Sequence, residues 1–461
     1  MTLEETAFAL KSVGDLNGSG KKIVTGVQTD SRLVKPGDLF ICLSGKRLDG
    51  HHFADQAVQN GAVAVVSHHP MSQSGAAVLL VQDTLIALGS LGRYWRIKKG
   101  KTVLAITGSA GKTTTKEMLY HILGREPSVG KNFRNWNNQI GLPLSILRFS
   151  GNEDLWILEL GINTPGDMDE LGAIACPDQA VILNVGPCHL QGLETIEGVA
   201  RSKARLLDHL QGPKTAFICR DYPLLEKEVL SRPQIKPIWF SCHARPSHYR
   251  LQHLSGNQFQ ITEADLTLSF ESRPGWEQYC ENIGAAWAAA RQWGMAPEQI
   301  IQKLLDFRLP EQRFSVSTCG SWTVVDDTYN ANPMSMERAI NSARSLAGKK
   351  NLLLVIGDMA ELGTYETQAH HDLGREISKT GCQGLFFYGR NAETVRSALN
   401  NGQQSNFFVI HDCQSFKRAL KSLNCSGGVV LFKGSRSIGM EKYVACFREW
   451  AGPGDVQPEN T

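Results

Sequence analysis

The stretch Thr102-Val103-Leu104-Ala105-Ile106-Thr107-Gly108-Ser109-Ala110-Gly111-Lys112-Thr113-Thr114-Thr115-Lys116-Glu117 decides the fold of the segment around it. An apolar run of strand length, a glycine-containing turn and Gly-Lys-Thr read in order as strand, phosphate-binding loop and helix. Glycines let the loop bend so that several N–H groups point at one anion. The positive end of the helix adds to that field, and Lys112 supplies a mobile ammonium for the outer phosphates. Gly108, Ser109, Ala110, Gly111, Lys112, Thr113 and Thr114 are therefore the expected nucleotide contacts, with Thr113 placed to ligate Mg²⁺. The general P-loop spacing asks for a further Gly where Ile106 stands, so only the shorter Thr-Gly-x-x-Gly-Lys-Thr form is met.

Composition frames this loop. With 461 residues, 42% hydrophobic and 44 Gly, the chain can bury large cores and is expected to divide into about three domains. A net charge of +3, from 48 basic and 45 acidic residues, gives no electrostatic reason to expect nucleic acid or an anionic membrane as partner. The start Met1-Thr2-Leu3-Glu4-Glu5-Thr6 lacks a basic n-region and an apolar h-region, and no uninterrupted apolar run would span a bilayer. A soluble, cytoplasmic protein is expected. Eleven cysteines, scattered without a Cys-x-x-Cys pair, suggest neither a disulfide framework nor a zinc site and read as reduced, mostly buried thiols.

The expected fold class is α/β in three domains, at residues 1–99, 100–312 and 313–461. The first shows short strand-like runs at Asp38–Leu43 and Gly61–Val66 with a helical stretch between them. Arg96-Ile97-Lys98-Lys99-Gly100-Lys101 reads as a linker. In the second, runs at Leu155–Leu158, Ala180–Leu183 and Thr215–Cys219 have the uniform hydrophobicity of strands buried on both faces of a mainly parallel sheet. A boundary is expected near Leu309-Pro310. Beyond it, strands at Thr323–Val325, Leu352–Ile356, Gly384–Tyr388 and Val429–Phe432 alternate with helical stretches, the pattern of a Rossmann-like domain. The tail 452–461 reads as disordered.

Ligands of open parallel sheets sit beyond the carboxyl ends of the strands. Glu159 ends one strand and is either a hard oxygen ligand for Mg²⁺ beside the P-loop or a solvated strand end. His189 follows another across Gly186-Pro187-Cys188; it would ligate a second metal or orient a phosphate, though a lone loop histidine usually does neither. Lys203, taken alone, reads as an ordinary surface lysine.

Thr107 to Glu117, Asn135-Trp136-Asn137-Asn138-Gln139-Ile140-Gly141-Leu142-Pro143, Glu159-Leu160-Gly161, Asn184-Val185-Gly186-Pro187-Cys188-His189 and Lys203 occur in the order and spacing of the Mur ligase family, which the chain resembles over nearly its whole length. Asp326-Asp327-Thr328-Tyr329-Asn330-Ala331-Asn332-Pro333, Gly357-Asp358-Met359-Ala360-Glu361-Leu362-Gly363 and Lys433-Gly434-Ser435-Arg436-Ser437 look like the members that add D-alanyl-D-alanine to the UDP-N-acetylmuramoyl-tripeptide. Asp30-Ser31-Arg32, Pro36-Gly37-Asp38-Leu39-Phe40 and Asp49-Gly50-His51-His52-Phe53 are similar to the family's uridine-nucleotide domain.

The resemblance implies ATP-dependent amide synthesis through an acyl phosphate, with ATP and Mg²⁺ required. Those two peptidoglycan precursors would be the partners, and the working form a monomer. It assigns catalysis to Lys112, Asn138, His189 and Lys203, and metal binding to Thr113, Glu159, His189 and a carbamylated Lys203. Asn282, Arg313, Asp327 and Asn330 would join the P-loop in holding the nucleotide. Ser31, Arg32, Asp49, Gly50, His51, Asp358, Ser435 and Arg436 would hold the other substrates. Two departures stand out. Gln278-Tyr279-Cys280-Glu281-Asn282 replaces the usual His-Asn-Val pattern, so only Asn282 carries over, and Gln312 precedes Arg313 where the family commonly has Gly. A P-loop ATPase that hydrolyses ATP for motion or regulation is the competing reading, and other amino-acid-adding ligases and folylpolyglutamate synthase are the nearer rivals; the segment Asp326–Pro333 argues against these rivals.

Overall fold

In the computed structural model, which describes residues 1–13, 16, 18–45, 48–71, 75–124, 128–243, 245–423 and 425–452, the apolar runs build three separate sheets. The first holds Val27–Gln28, Leu39–Ile41, Ala64–Ser67 and Ala77–Leu80 in that order, all parallel. Side chains alternate across it: Leu39 and Ile41 pack with helices Leu3–Leu10 and Thr84–Lys99, whereas Phe40 and Cys42 pack with helix Ala54–Gln59.

The stretch read as a linker is instead the last turn of helix Thr84–Lys99. Asp83 opens that helix by accepting from the Leu85 and Ile86 amides at 2.8 Å, and Gly100 closes it at φ 61°. Arg96 is buried there and donates to Ala175 O, Cys176 O and the Asp178 carboxylate, tying the helix to the central sheet. A basic composition looked like a solvated link because sequence does not reveal which of the cations faces inward.

The central sheet has nine strands, in the order Leu266–Glu271, Gln258–Glu263, Tyr249–His253, Lys236–Ser241, Thr215–Cys219, Gln179–Ile182, Thr102–Thr107, Leu155–Glu159 and Val129–Lys131. From Tyr249–His253 onward the pairing is parallel, while the first two strands add as an antiparallel meander. The meander was not anticipated, because Leu251, Phe259, Ile261 and Phe270 point inward between half-buried or exposed polar residues and no continuous apolar run marks it. Strand Thr102–Thr107 lies inside the sheet, with later strands placed on both of its sides, and a crevice opens at its carboxyl end. Helices Lys112–Leu123 and Cys280–Gln292 cover one face; Gly141–Ile146 and Asp167–Ala175 cover the other.

The third sheet runs Ser315–Cys319, Trp322–Asp327, Gly428–Lys433, Leu352–Gly357, Gly384–Tyr388 and Phe407–Val409, parallel except for the first, edge strand. Helices Pro333–Ala347 and Glu366–Ser378 lie on one face, Cys413–Ser422 and Glu441–Ala451 on the other. The expectation of reduced thiols fails at one pair: Cys413 and Cys446, on those last two helices, form a disulfide with Cα atoms 5.9 Å apart. Their spacing of 33 residues gave no sign of it, since packing of two helices brings the pair together. The tail at 453–461 lies outside the described residues. Among the described residues no helix is long and apolar enough to cross a membrane.

Candidate active site

A cavity of about 270 Å³ opens where the carboxyl ends of the central strands meet the third domain. One wall is the P-loop. Gly111, at φ 81°, heads helix Lys112–Leu123, whose first-turn amides have no partner within the helix and belong to residues that line the cavity, an arrangement suited to an anion. A Cβ at Gly111 would collide with the Asn282 amide, so both the turn and its close neighbour require glycine. The loop is braced from behind: Asn184 accepts from Ala110 N at 2.8 Å, and Asn282 Nδ2 donates to Gly111 O and Thr115 Oγ1, both at 2.8 Å. Asn282 is 3% exposed, lines the cavity and braces the loop and the first turn of its helix with its amide donors. Lys112 Nζ bonds Gly108 O at 2.9 Å, and Ser109 Oγ bonds Gly186 O at 3.0 Å.

At the floor, Thr113 Oγ1 donates to Glu159 Oε2 at 2.9 Å. Glu159 is buried, so the solvated strand-end alternative is excluded. Two residues without an assigned role hold it. Asn137 Nδ2 donates to Glu159 Oε1 at 2.6 Å, and the fully buried Lys116 ammonium lies 3.9 Å from Oε2. Burial lowers the Lys116 amine, against the pull of Glu159 and Glu117. Lys116 falls one helical turn after Lys112, which is the sequence signal that would have found it. Asn138, the residue singled out from that motif, lines the cavity, and its Oδ1 accepts from Ile140 N and Gly141 N at the start of helix Gly141–Ile146.

Lys203 is not a surface residue: it is 1% exposed, and burial with help from the Lys112 charge lowers its amine to about 8. His189 lies at the cavity rim at φ 52°, its Nδ1 2.6 Å from Glu361 Oε2 of the third domain. That bond holds the Glu361 carboxyl below its ordinary value.

The opposite wall comes from the third domain. Arg313 Nη2 donates to Thr113 Oγ1 at 3.0 Å, and its guanidinium stacks 3.8 Å over the Tyr329 ring. Asn332 Nδ2 donates to Ser109 O at 3.1 Å. Gln312 takes φ 59°, which explains the glycine common at this position: the turn needs the left-handed region, and Gln enters it at a cost. Asp327, expected on the nucleotide, lines the cavity but has both oxygens engaged, by Lys433 at 2.5 Å and Phe314 N at 3.0 Å. Asn330 also lines it, with Oδ1 accepting from Ala331 N and Arg436 N.

The remaining expected substrate residues fall elsewhere. Asp358 accepts from the Arg390 and Asn391 amides, and Ser435 Oγ accepts from Ala360 N and donates to Ala331 O, so these two knit the third-domain motifs together. Arg436 borders a neighbouring cavity with Arg148, Arg313 and Tyr329. Ser31, Arg32, Asp49, Gly50 and His51 do not line the P-loop cavity. They occupy two capped 3₁₀ turns of the first domain, headed by Asp30 and Asp49. One cross-domain cluster was missed outright. Glu281, buried, receives Arg338 at 2.7 and 3.0 Å, Asn184 Nδ2 at 2.6 Å and the Tyr222 hydroxyl.

Family models match all three parts of the chain: "Mur ligase family, catalytic domain" at residues 23–94, "Mur ligase middle domain" at 106–288, and "Mur ligase, glutamate ligase domain" at 312–436. Over 430 residues the chain is 35% identical to the UDP-N-acetylmuramoyl-tripeptide–D-alanyl-D-alanine ligase of Bacillus subtilis, covering 92% of this chain and 93% of that one. It is similar to a MurF structure from Acinetobacter baumannii at TM-score 0.90, 28% identity, over 97% and 98% of the two chains. A MurF ligase from Thermotoga maritima in complex with ADP gives 0.82 at 30% identity, over 93% and 98%. With a braced P-loop facing a third domain across one cavity, and with likeness running nearly end to end, the chain belongs to the Mur ligase family.

Proposed function

We propose that the chain is the ATP-dependent ligase that joins D-alanyl-D-alanine to UDP-N-acetylmuramoyl-tripeptide, releasing ADP and phosphate and giving the pentapeptide precursor of peptidoglycan. One observation carries the reading: the P-loop, Lys112 and the Thr113–Glu159 pair share a single cavity with Tyr329, Asn330 and Asn332 of the third domain. The name of the Bacillus subtilis relative and the ADP of the Thermotoga maritima structure support it. Residues 1–99, 100–312 and 313–461 are read as uridine-nucleotide, ATP and ligase domains of a cytoplasmic monomer.

A carboxylate is a poor electrophile. Transfer of the γ-phosphoryl group of ATP to the terminal carboxylate of the tripeptide makes an acyl phosphate, which the amine of D-alanyl-D-alanine attacks; the tetrahedral intermediate then collapses to amide and phosphate. The first-turn amides of helix Lys112–Leu123 hold phosphate oxygens, and the Lys112 ammonium leaves the Gly108 carbonyl to follow the charge moving onto the transferred group. Thr113 and Glu159 offer two hard oxygens 2.9 Å apart, a donor set that fits Mg²⁺. Bound there, Mg²⁺ neutralises phosphate charge. Asn137 and Lys116 keep the Glu159 carboxylate aimed at that point. Arg313, already on the Thr113 hydroxyl, brings a second cation to the phosphates from the third domain. Lys203, buried near the Lys112 charge with its amine at about 8, is suited to add CO₂ and become an anionic carbamate that would supply a further oxygen ligand for the metal. The domain contact at Asn332, Arg313 and Glu361 excludes water from the acyl phosphate.

A phosphate-release assay with UDP-muramoyl-tripeptide and a panel of amino acids and dipeptides tests the reading. D-alanyl-D-alanine should give the highest rate, and release should need both acceptor and amine. A highest rate with D-glutamate, or full ATP hydrolysis without either substrate, overturns it.

A further inference from the structure

The first domain carries a group of ligating side chains far removed in type from the P-loop cavity. His51 sits in the 3₁₀ turn Gly50–Phe53, and His68 and His69 follow the strand Ala64–Ser67. Their rings form a compact triangle, with centroids 4.4 Å apart for His51–His68, 4.3 Å for His51–His69 and 5.1 Å for His68–His69. One nitrogen from each lies within 4.8 Å of the other two.

Two independent features mark His51 as more than a packed ring. Its Nδ1 is 2.6 Å from Asp49 Oδ1, and the same oxygen accepts the His51 backbone N–H at 3.0 Å, so the carboxylate fixes both ring orientation and tautomer. With Nδ1 carrying the proton, Nε2 is left as a lone-pair donor. That Nε2 is buried and has no hydrogen-bond partner, an expensive condition for a polar atom. A carboxylate on one ring nitrogen and an unsatisfied second nitrogen is the arrangement found around histidine-bound metals. His68 and His69 are exposed, so their rings can turn onto a shared ion without unpacking the domain. The turn beneath them is held: His69 N donates to Ser67 Oγ at 3.1 Å, and Ser67 Oγ donates to His69 O at 2.6 Å.

We propose that His51, His68 and His69 form a binding site for a late first-row divalent cation of the Zn²⁺ type, with Asp49 orienting His51 behind it. Three imidazoles select such ions over Mg²⁺ and Ca²⁺, which prefer oxygen. They leave the fourth tetrahedral position to an exogenous ligand. The site is separate from the Thr113–Glu159 oxygens, and it includes His51 and Asp49 of the segment whose resemblance points to the uridine nucleotide, so its test reads metal binding and not activity.

The test uses the full-length, tag-free protein, with Zn²⁺ binding measured by equilibrium dialysis and metal analysis, and Co²⁺ used as a spectroscopic probe. The protein should take up one tight equivalent of Zn²⁺ in the presence of excess Mg²⁺, and Co²⁺ should give the intense visible bands of a tetrahedral nitrogen site. The double variant His68→Ala/His69→Ala changes only exposed rings and should remain folded by circular dichroism while losing that equivalent. Asp49→Asn should weaken Zn²⁺ by about 10–100-fold, the effect of losing a carboxylate behind a ligating histidine. Zn²⁺ uptake equal in the protein and the folded double variant, or a Co²⁺ spectrum of octahedral type, overturns the proposal.

Discussion

Stripping CO₂ at low pH and returning bicarbonate at neutral pH should switch off and then restore ligase activity, through Lys203. Burial lowers this amine from 10.5 to about 8, and the Lys112 charge pushes the same way. At pH 7.4 an ordinary lysine is neutral in about one molecule per thousand, and one at about 8 in roughly one of five, a gain of about 200-fold in the form that attacks CO₂. The amine nitrogen bonds to carbon and one proton leaves, so the product is an anion and acid reverses the step. The sign for stability follows the same logic. Because the folded value lies below the unfolded one, burying the ammonium costs about 3 kcal/mol below pH 8, and the cost disappears as pH rises from about 8 through 10.5. Lys203→Ala should remain folded and lose about 10²-fold or more in turnover, the scale of one lost preorganised charge contact. Short-chain carboxylic acids should restore part of that loss, and uncharged molecules of similar size should not. The decisive readout is carbon NMR of active protein in labelled bicarbonate. Wild-type turnover in Lys203→Ala, or an active enzyme with no lysine carbamate signal, refutes the reasoning.

Lys112→Ala should lower turnover by about 10²-fold, because its ammonium follows charge that moves only as phosphoryl transfer proceeds; steady-state kinetics showing a raised ATP KM with normal turnover would contradict this. Glu281→Gln removes the charge facing Arg338 inside a cross-domain cluster and should destabilise the protein by about 3 kcal/mol in urea unfolding. An unchanged midpoint would count against it. Gln312→Gly releases a left-handed residue worth about 1–2 kcal/mol against a glycine cost of about 0.5–1 kcal/mol. Stability should hold or rise slightly with activity intact, and a loss of more than about 1 kcal/mol would refute the strain argument.

The P-loop was legible because its chemistry is local: strand, turn and helix head are consecutive, and Gly111 needs its φ of 81° whatever surrounds it. The uniformly apolar strands Leu155–Glu159, Thr215–Cys219 and Leu352–Gly357 were legible for a related reason, since burial on both faces leaves no alternation to misread. Glu159 and Lys203 show where that ends. Each is one charged residue whose burial depends on segments distant in the chain, and no local pattern separates a buried lysine from a solvated one. The same holds for Asn137 gripping Glu159 across 22 residues, for Glu281 meeting Arg338 across 57, and for His51 meeting His68 and His69 from beyond the ends of neighbouring strands. Local sequence specifies backbone conformation and the kinds of chemistry available. Burial, partner choice and hence ionisation are set by long-range packing, because the energy of a charge depends on the dielectric and the neighbours that the folded chain brings around it.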